Sequence, residues 1–509
     1  MPRRSLGRAS LVLLGSTWTH SALSLLASVM IGRVLGPAAV GALALNLGLA
    51  GLVMAALLPG FTQAHLKRLA EGQDAGRCVG TMLAIQGALT TLLVVALLAA
   101  WATGALASHT SGGAVFLAML GAQVASRLAD VFQKVFIARE WVVAHGAVLL
   151  ATRLARLVAT VLVLLLAPSV TAIAATFLVE GLLTIVVAAG VVSAAGIPLR
   201  APTRTSLGDY WRYARPFLVT TPLALVQDSI DRVLVGRWAG LTAAGYYHVA
   251  RGLWEALAGV MAPPGLLLFT RLSSLYAERT PERDRKAAAL FFSGLDKLLF
   301  VSTALAVAFW ALAAPAIALL YGDSFVPATA ALRILVVAAL VGALVNPYTF
   351  VLQAQDEVAR FVPLNVFRFA IYLVALAVLI RGVVPGLPAA DAGAALARLL
   401  LIVFPAWVWM GWTRDLAGIP FYRRAGVYLA GFALAVVAFH AAATLLGFLV
   451  PAWPELAIDI AAAAVAFVVY GLWLLKLHPD TRANVVYAVA LVMPGAARRL
   501  GAPSAPGPR

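Results

Sequence analysis

Long apolar runs alternate with short polar segments along the whole chain of 509 residues. A helix needs about 20 apolar residues to cross the hydrocarbon core of a bilayer. Runs of this length predict fourteen membrane-spanning helices, and twelve is the alternative if two weaker runs are re-entrant. The predicted spans cover residues 11–31, 41–64, 79–103, 113–134, 142–167, 170–196, 215–237, 245–270, 288–314, 330–354, 361–380, 390–412, 425–448 and 456–476.

The composition agrees with lipid, rather than water, as the solvent. Apolar residues make up 62% of the chain and charged residues 12%, whereas soluble domains are about 45–50% apolar and about 25% charged. No segment between predicted spans exceeds about 20 residues, so we expect no sizeable soluble domain. The sequence therefore predicts an all-α, polytopic membrane protein.

Basic residues are distributed unequally between the two sides of the predicted bundle. Of the 38 Lys and Arg residues, 26 lie at the termini and in one set of alternate loops. The other set holds only Arg33, Arg237 and Arg381. Because cytoplasmic loops carry the excess of Lys and Arg, both termini are expected in the cytoplasm, which requires an even number of spans.

Two segments of the chain resemble each other without a gap. Residues 31–46 (IGRVLGPAAVGALALN) and 235–250 (VGRWAGLTAAGYYHVA) share five identical positions at an offset of 204. Each copy joins the end of one span to the start of the next, so spans 1 and 2 correspond to spans 7 and 8. Chance agreement of common glycines and alanines is the alternative. The repeat predicts two six-helix lobes of parallel topology, followed by two additional helices.

This repeat gives the predicted domain organisation. It consists of an N-terminal lobe (1–197), a cytoplasmic linker (198–214), a C-terminal lobe (215–414), spans 13 and 14 (415–477) and a cytoplasmic tail (478–509).

Four motifs carry a resemblance to a known family. They are GRVLGPAAVGALAL (32–45), YARPFLVTTPLALVQDSIDRVLVGRWAGLTAAGYYHVA (213–250), YGDSFVPATAALRIL (321–335) and LQAQDEVAR (352–360), the last followed by Asn365. With these motifs in this order, the chain resembles the polysaccharide flippases, which belong to a superfamily with lipid II flippases and MATE-type multidrug exporters.

The resemblance implies two lobes that form an inward-facing V around a central cavity. It implies a secondary transporter in the bacterial inner membrane. The expected cargo is an undecaprenyl-pyrophosphate-linked oligosaccharide, such as an O-antigen or exopolysaccharide repeat unit, moved from the cytoplasmic to the periplasmic face by alternating access. The expected partners are this lipid-linked cargo, membrane lipid and assembly proteins such as a polysaccharide polymerase. Neither nucleic acid nor a cofactor is expected.

Two arginines within the fifth span suggest the charge of the cargo. Arg153 and Arg156 lie three residues apart on one helical face, where they repel each other. A charge near the bilayer centre costs about 2.5–3.5 kcal/mol on insertion scales, so each needs a partner or a wet cavity. Guanidinium groups bind phosphates in a bidentate manner, so a pyrophosphate headgroup is one such partner. The alternative is that both arginines pair with acids, of which Asp130 and Glu180 are available.

Further residues have predicted roles of lower priority. Opposite charges three or four residues apart can pair locally, as for Arg127 with Asp130 and Arg251 with Glu255. The predicted substrate-binding residues are Arg153, Arg156, Arg127 and Arg368; the ion-coupling candidates are Asp130, Glu180 and Asp231; and the turns expected to gate the periplasmic mouth contain Gly36, Pro37 and Gly240.

Other classes of protein fit the sequence less well. No Walker motif or H-E-x-x-H sequence occurs, so neither ATP hydrolysis nor a catalytic metal is predicted. A membrane glycosyltransferase or polymerase would need a large outer loop with catalytic groups. A cation exporter would need unpaired acids, whereas arginines exceed acids within these spans. A lipid II flippase differs only in its cargo, and these residues do not separate it from an oligosaccharide flippase.

Overall fold

The computed structural model describes residues 5–57, 60–102, 112–215, 217–277, 282–355, 357–382 and 389–477. Within these ranges all regular structure is helical. The helices are α1 (Ser5–Leu57), α2 (Phe61–Ala70), α3 (Ala75–Ala102), α4 (Gly113–Ala138), α5 (Val142–Leu166), α6 (Val170–Ala194), α7 (Arg204–Ala214), α8 (Phe217–Trp238), α9 (Leu241–Ala277), α10 (Arg283–Ala311), α11 (Ala313–Tyr321), α12 (Thr329–Ala354), α13 (Phe361–Ile380), α14 (Ala390–Val403), α15 (Ala406–Ala417), α16 (Ala425–Leu449) and α17 (Glu455–Leu477), with 3₁₀ turns at Asp323–Ala328 and Glu357–Arg360.

The predicted all-α membrane fold is confirmed, but the number of spans differs from fourteen. Eleven helical segments in the described ranges are long and apolar enough to cross a bilayer. The first of these, Trp18–Ala55, overlaps both of the first two predicted spans and includes the non-helical residue Gly36 between them. The seventh and eighth predicted spans correspond to α8 and α9, which are not among the eleven. The count of fourteen therefore stays a prediction.

The chain divides into two compact units, Met1–His248 and Val249–Arg509, and the boundary falls inside α9. The first unit includes α8, which packs along α1. In the second unit, α12 packs on α14, and α10 packs on α16 and α17. Pro405 separates α14 from α15, where a single span was predicted. The predicted lobe boundaries stay predictions, and the tail 478–509 lies outside the described residues.

The two copies of the sequence repeat contact each other inside the first unit. Gly36 (φ 77°) and Gly240 (φ 89°) both adopt the left-handed backbone region, which favours glycine, so both predicted turns are present. A Cβ atom on Gly41 would overlap the carbonyl oxygen of Leu241, and one on Gly245 would overlap that of Pro37. The offset of 204 maps Gly41 onto Gly245 and Pro37 onto Leu241. The two contacts are therefore equivalent, as a two-fold relation between the copies requires.

The helices that carry the charged residues of the first unit pack closely. α4 packs on α6 at Gly181, where an added Cβ would lie 2.8 Å from the Cβ of Ala125. Small residues permit such an approach between membrane helices. The hydroxyls of Thr160 on α5 and Thr176 on α6 lie 3.5 Å apart in a buried position. Because α6 is fixed against both neighbours, Glu180 projects between α4 and α5.

A second buried cluster joins two short helices that the span pattern did not predict. His65 of α2 is fully buried, with its Nδ1 2.9 Å from the hydroxyl of Tyr210 on α7 and its Nε2 3.0 Å from the carbonyl oxygen of Val131. Thr203 and Ser206 form a capping box that begins α7. These contacts attach the segment between α6 and α8 to the body of the first unit.

Candidate functional site

A cavity of about 680 Å³ lies within the first unit, among α1, α2, α4, α5, α6 and α8. Its lining contains an unusual number of polar side chains for the interior of an apolar bundle. The ionisable and amide residues of the lining are His20, Gln63, Gln123, Arg127, Asp130, Gln133, Lys134, Arg153, Arg156 and Glu180. The cavity therefore brings together five of the residues predicted for substrate binding or ion coupling.

The arginine pair on α5 faces a single carboxylate. Nη1 of Arg153 lies 3.2 Å from Oε2 of Glu180, and Nη1 of Arg156 lies 3.4 Å from the same oxygen. The three side chains are between 7% and 15% exposed. Within the described ranges, the arginines thus pair with Glu180 and not with Asp130, so one acid is shared by two guanidinium groups.

Arg156 has fewer hydrogen bonds than its burial would require. Its guanidinium carbon lies 3.4 Å from the centroid of the Phe177 ring, which supports the cation from one face. Its Nε–H is buried and has no hydrogen-bond acceptor among the described residues. A buried donor without an acceptor costs roughly 1–3 kcal/mol, and more for a charged group. An additional acceptor supplied from the cavity would relieve this cost.

His20 of α1 completes the cluster. Its Nε2 lies 2.6 Å from Nη2 of Arg153. Because every nitrogen of an arginine is a donor, this imidazole nitrogen accepts the hydrogen bond, and the ring is neutral in this arrangement. His20 therefore orients Arg153 without adding a positive charge to the cavity.

The charged residues on α4 do not pair as predicted. Asp130 pairs with Lys134 at 3.1 Å instead of with Arg127. An acid four residues before a lysine is a favoured helical pair, which explains the outcome. Arg127 lines the cavity and forms no ion pair in the described part of the chain. The pairing predicted between Arg251 and Glu255 in the second unit is present, at 2.8 Å.

The charges in the lining do not balance. Arg127, Lys134, Arg153 and Arg156 are opposed by Asp130 and Glu180, which leaves an excess of two positive charges. Arg153 and Arg156 lie 11 and 14 residues after the start of α5, or about 17–21 Å along the helix at 1.5 Å per residue. An excess of guanidinium groups at this depth is suited to a bound anion.

Two of the predicted functional residues lie elsewhere. Asp231 on α8 is fully buried and does not line the cavity; its Oδ2 accepts a 2.6 Å hydrogen bond from Tyr247, and its Oδ1 accepts one from the backbone N–H of Arg232. Arg368 on α13 belongs to the second unit, where it lies 5.5 Å from the ring centroid of Trp409. The roles predicted for both stay predictions.

Sequence reasoning missed three members of the site. They are His20, Lys134 and Phe177, none of which was among the predicted functional residues, and Phe177 carries no signal because aromatic residues are common in membrane helices. The periodicity of α4 offers one clue for Lys134, because it lies four residues after Asp130 on the same face.

Known proteins share this architecture. The class that the fold defines is a multi-pass membrane protein, built from apolar helices with a polar cavity among those of the first unit. Residues 30–330 match the sequence profile of the polysaccharide biosynthesis protein family. This match covers more than half of the chain, which therefore belongs to that family. A sequence search of curated proteins found no match.

Solved structures of low sequence identity show the same fold. The lipid II flippase MurJ in an inward closed conformation aligns with a TM-score of 0.69 at 12% identity, over 92% of this chain and 99% of MurJ. A MATE-family multidrug resistance transporter aligns in its inward-facing conformation with a TM-score of 0.59 at 17% identity, over 78% of this chain and 94% of that one. These proteins are transporters and flippases rather than enzymes, in agreement with the non-enzymatic class predicted from the sequence.

Proposed function

We propose that the protein flips a polyprenyl-pyrophosphate-linked oligosaccharide across the bacterial inner membrane, from the cytoplasmic to the periplasmic face. The cargo would be the repeat unit of a surface polysaccharide, such as an O-antigen or exopolysaccharide. The observation that carries the proposal is the pair Arg153 and Arg156, which share one carboxylate in a cavity with an excess of positive charge. Membership of the polysaccharide biosynthesis family supports a saccharide as the transported group.

The lining suits the two parts of such a cargo. Guanidinium groups bind phosphate oxygens through paired N–H donors and stay charged at every physiological pH. Gln63, Gln123 and Gln133 supply amide donors and acceptors of the kind that sugar hydroxyls require. The charged head would thus be held by α5 while the saccharide contacts α2 and α4.

A lipid II flippase is the second candidate, because its cargo also carries a pyrophosphate and MurJ has a similar fold. A MATE-type exporter of cations is less compatible with the site. A cation would enter a cavity with two excess positive charges, and this repulsion opposes binding.

Translocation by the purified protein in liposomes tests the proposal. Undecaprenyl-pyrophosphate oligosaccharide and lipid II serve as two separate cargos. We expect Arg153→Ala combined with Arg156→Ala to abolish translocation while the amount of inserted protein is unchanged. Arg139→Ala combined with Arg200→Ala is the matched control, because it removes two exposed arginines outside the cavity and should preserve translocation.

Each outcome of this assay is informative. Full translocation by the Arg153/Arg156 double variant would refute the proposed headgroup site. Translocation of lipid II alone by the wild-type protein would replace the proposed cargo with the second candidate.

A further inference from the structure

Among the residues that the structure describes, Glu180 of α6 is the one acid that contacts the arginine pair, and it lines the cavity. The same carboxylate oxygen accepts from both guanidinium groups, at 3.2 and 3.4 Å. Charge-assisted N–H···O bonds are usually about 2.7–2.9 Å long, so neither contact reaches its full strength. The pairing of Glu180 with two arginines therefore compensates each of them only in part.

The geometry leaves each arginine able to exchange this partner. Glu180 is 14% exposed, so its carboxylate can be hydrated if the arginines withdraw. The side chain of Arg153 remains supported by His20, and that of Arg156 by Phe177, without Glu180. An anion with two or more oxygens could satisfy both guanidinium groups and the unused Nε–H of Arg156, which one carboxylate oxygen does not.

We propose that Glu180 is a built-in competitor for the arginine pair, which the phosphate groups of the cargo must displace in order to bind. This inference rests on the proposed function and adds a residue that sets affinity. In the empty protein Glu180 neutralises part of the arginine charge, which lowers the cost of burying it. In the loaded protein the cargo takes its place, so Glu180 weakens binding and favours release.

The other charged groups around the arginine pair cannot take this role. α1 contributes His20, which accepts from Arg153 but carries no negative charge. α4 contributes Arg127, Lys134 and Asp130, and the last of these pairs with Lys134 at 3.1 Å. Asp130 is therefore a second acid in the same cavity that does not contact the arginines of α5.

This difference provides a matched control. Glu180→Gln and Asp130→Asn each remove one negative charge and one ion-pair partner from the same cavity. A general change in the electrostatic field would tighten anion binding similarly in both variants. Direct competition tightens it only in Glu180→Gln.

The test is equilibrium binding of undecaprenyl pyrophosphate to the full-length protein in detergent. We expect Glu180→Gln to lower the Kd by about tenfold, or about 1.4 kcal/mol, and Asp130→Asn to leave it near the wild-type value. An equal change in both variants would overturn the inference, as would unchanged or weaker binding by Glu180→Gln. Monodisperse elution and a melting temperature near wild type establish that each variant is folded.

A second measurement uses the wild-type protein and so does not depend on the folding of a variant. Carbodiimides modify carboxyl groups that are released from ion pairs and protonated. We expect undecaprenyl pyrophosphate to increase modification of Glu180, read by peptide mass spectrometry, and constant or decreased modification would overturn the inference. The Arg153/Arg156 double variant separates the two proposals, because its loss of binding supports the proposed function whatever the result at Glu180.

Discussion

Arg156 carries a buried positive charge that is only partly paired. Its side chain is 7% exposed, stacks on Phe177 and shares the carboxylate of Glu180 with Arg153. A buried charge that is paired only in part is expensive, and such groups in membrane proteins commonly mark a transport pathway. The incomplete pairing of Arg156 is therefore the residue-scale basis for the proposed anion site.

His65 provides a residue-scale test of the packing around α7. Its imidazole is fully buried between Tyr210 and the carbonyl of Val131, and this burial lowers its pKa from 6.5 to about 4. The unfolded chain binds a proton at His65 below about pH 6.5, whereas the folded protein does so only near pH 4, so acidification across this range favours unfolding. We expect the melting temperature to decrease as the pH falls from about 6.5 to about 4, and His65→Gln to show a smaller decrease.

The wild-type dependence of melting temperature on pH is the reference for this measurement. If His65→Gln retained that dependence unchanged, the burial of His65 would not be the source of the effect.

The sequence predicted those features of the site that lie on one helix, but not the contacts between helices. Arg153 and Arg156 were identified because two like charges on one face of an apolar run are conspicuous. His20 and Phe177 lie on other helices, and their contact with the arginines depends on how α1 and α6 are rotated about their axes. No periodicity within one helix determines that rotation, so the cluster of four groups could not be derived. The pairing of Asp130 with Lys134 rather than with Arg127 has a different cause, because all three residues lie on α4 and the four-residue spacing favours it.

At the scale of the elements, the contact between the two repeat copies is the feature most sensitive to side-chain size. Gly41 and Gly245 each lie against a backbone carbonyl of the opposite copy, so no side chain fits at either position without movement of the helices. We expect Gly41→Val and Gly245→Val each to destabilise the folded protein by about 1–3 kcal/mol. The measurement is thermal unfolding in detergent.

Gly190→Val is the matched control for these two variants. Gly190 lies in α6 with open space around its Cα, so a larger side chain meets nothing. A similar loss of stability in all three variants would show that valine acts through helix propensity and not through the contact between repeat copies.

Among the elements, the long apolar helices and the two glycine turns could be predicted from the sequence, whereas two short helices could not. The turns at Gly36 and Gly240 were predicted because glycine at equivalent positions of two similar segments indicates a shared backbone requirement. The short helices α2 and α7 were not predicted, because ten or eleven mixed residues contain too few apolar positions to register as spans. Their stability comes from tertiary contacts such as those of His65 and Tyr210, which the sequence pattern does not display.

At the scale of the whole molecule, the distribution of basic residues predicts the orientation in the membrane. Cys78 is the only cysteine and is buried, so Cys78→Ser gives a background for single-cysteine labelling. Arg139 and Ala167 are exposed at opposite ends of α5. With a membrane-impermeant maleimide, Ala167→Cys should be labelled from the periplasm of cells with a permeabilised outer membrane, and Arg139→Cys only after the inner membrane is opened. The reverse pattern would contradict the predicted orientation.

The fold class follows from composition and run length, because lipid requires long apolar helices whatever the function. The number of spans does not follow as directly, because α8 carries four charged residues within 22 positions. Gly36 has a non-helical backbone (φ 77°, ψ 179°), so α1 is interrupted there, between the first two predicted spans. The number of candidate spans therefore depends on how α1 is divided at Gly36 and on the charged residues of α8.

Recognition of a pyrophosphate by the arginine pair is the central claim, and binding of two matched lipids tests it most directly. Undecaprenyl pyrophosphate and undecaprenol have the same chain and differ in the anionic group alone, and native mass spectrometry can count each lipid bound to the protein. We expect the wild-type protein to bind the pyrophosphate in clear preference to the alcohol, and the Arg153/Arg156 double alanine variant to bind both equally. Equal binding of the two lipids by the wild-type protein, or an undiminished preference in the double variant, would contradict the account.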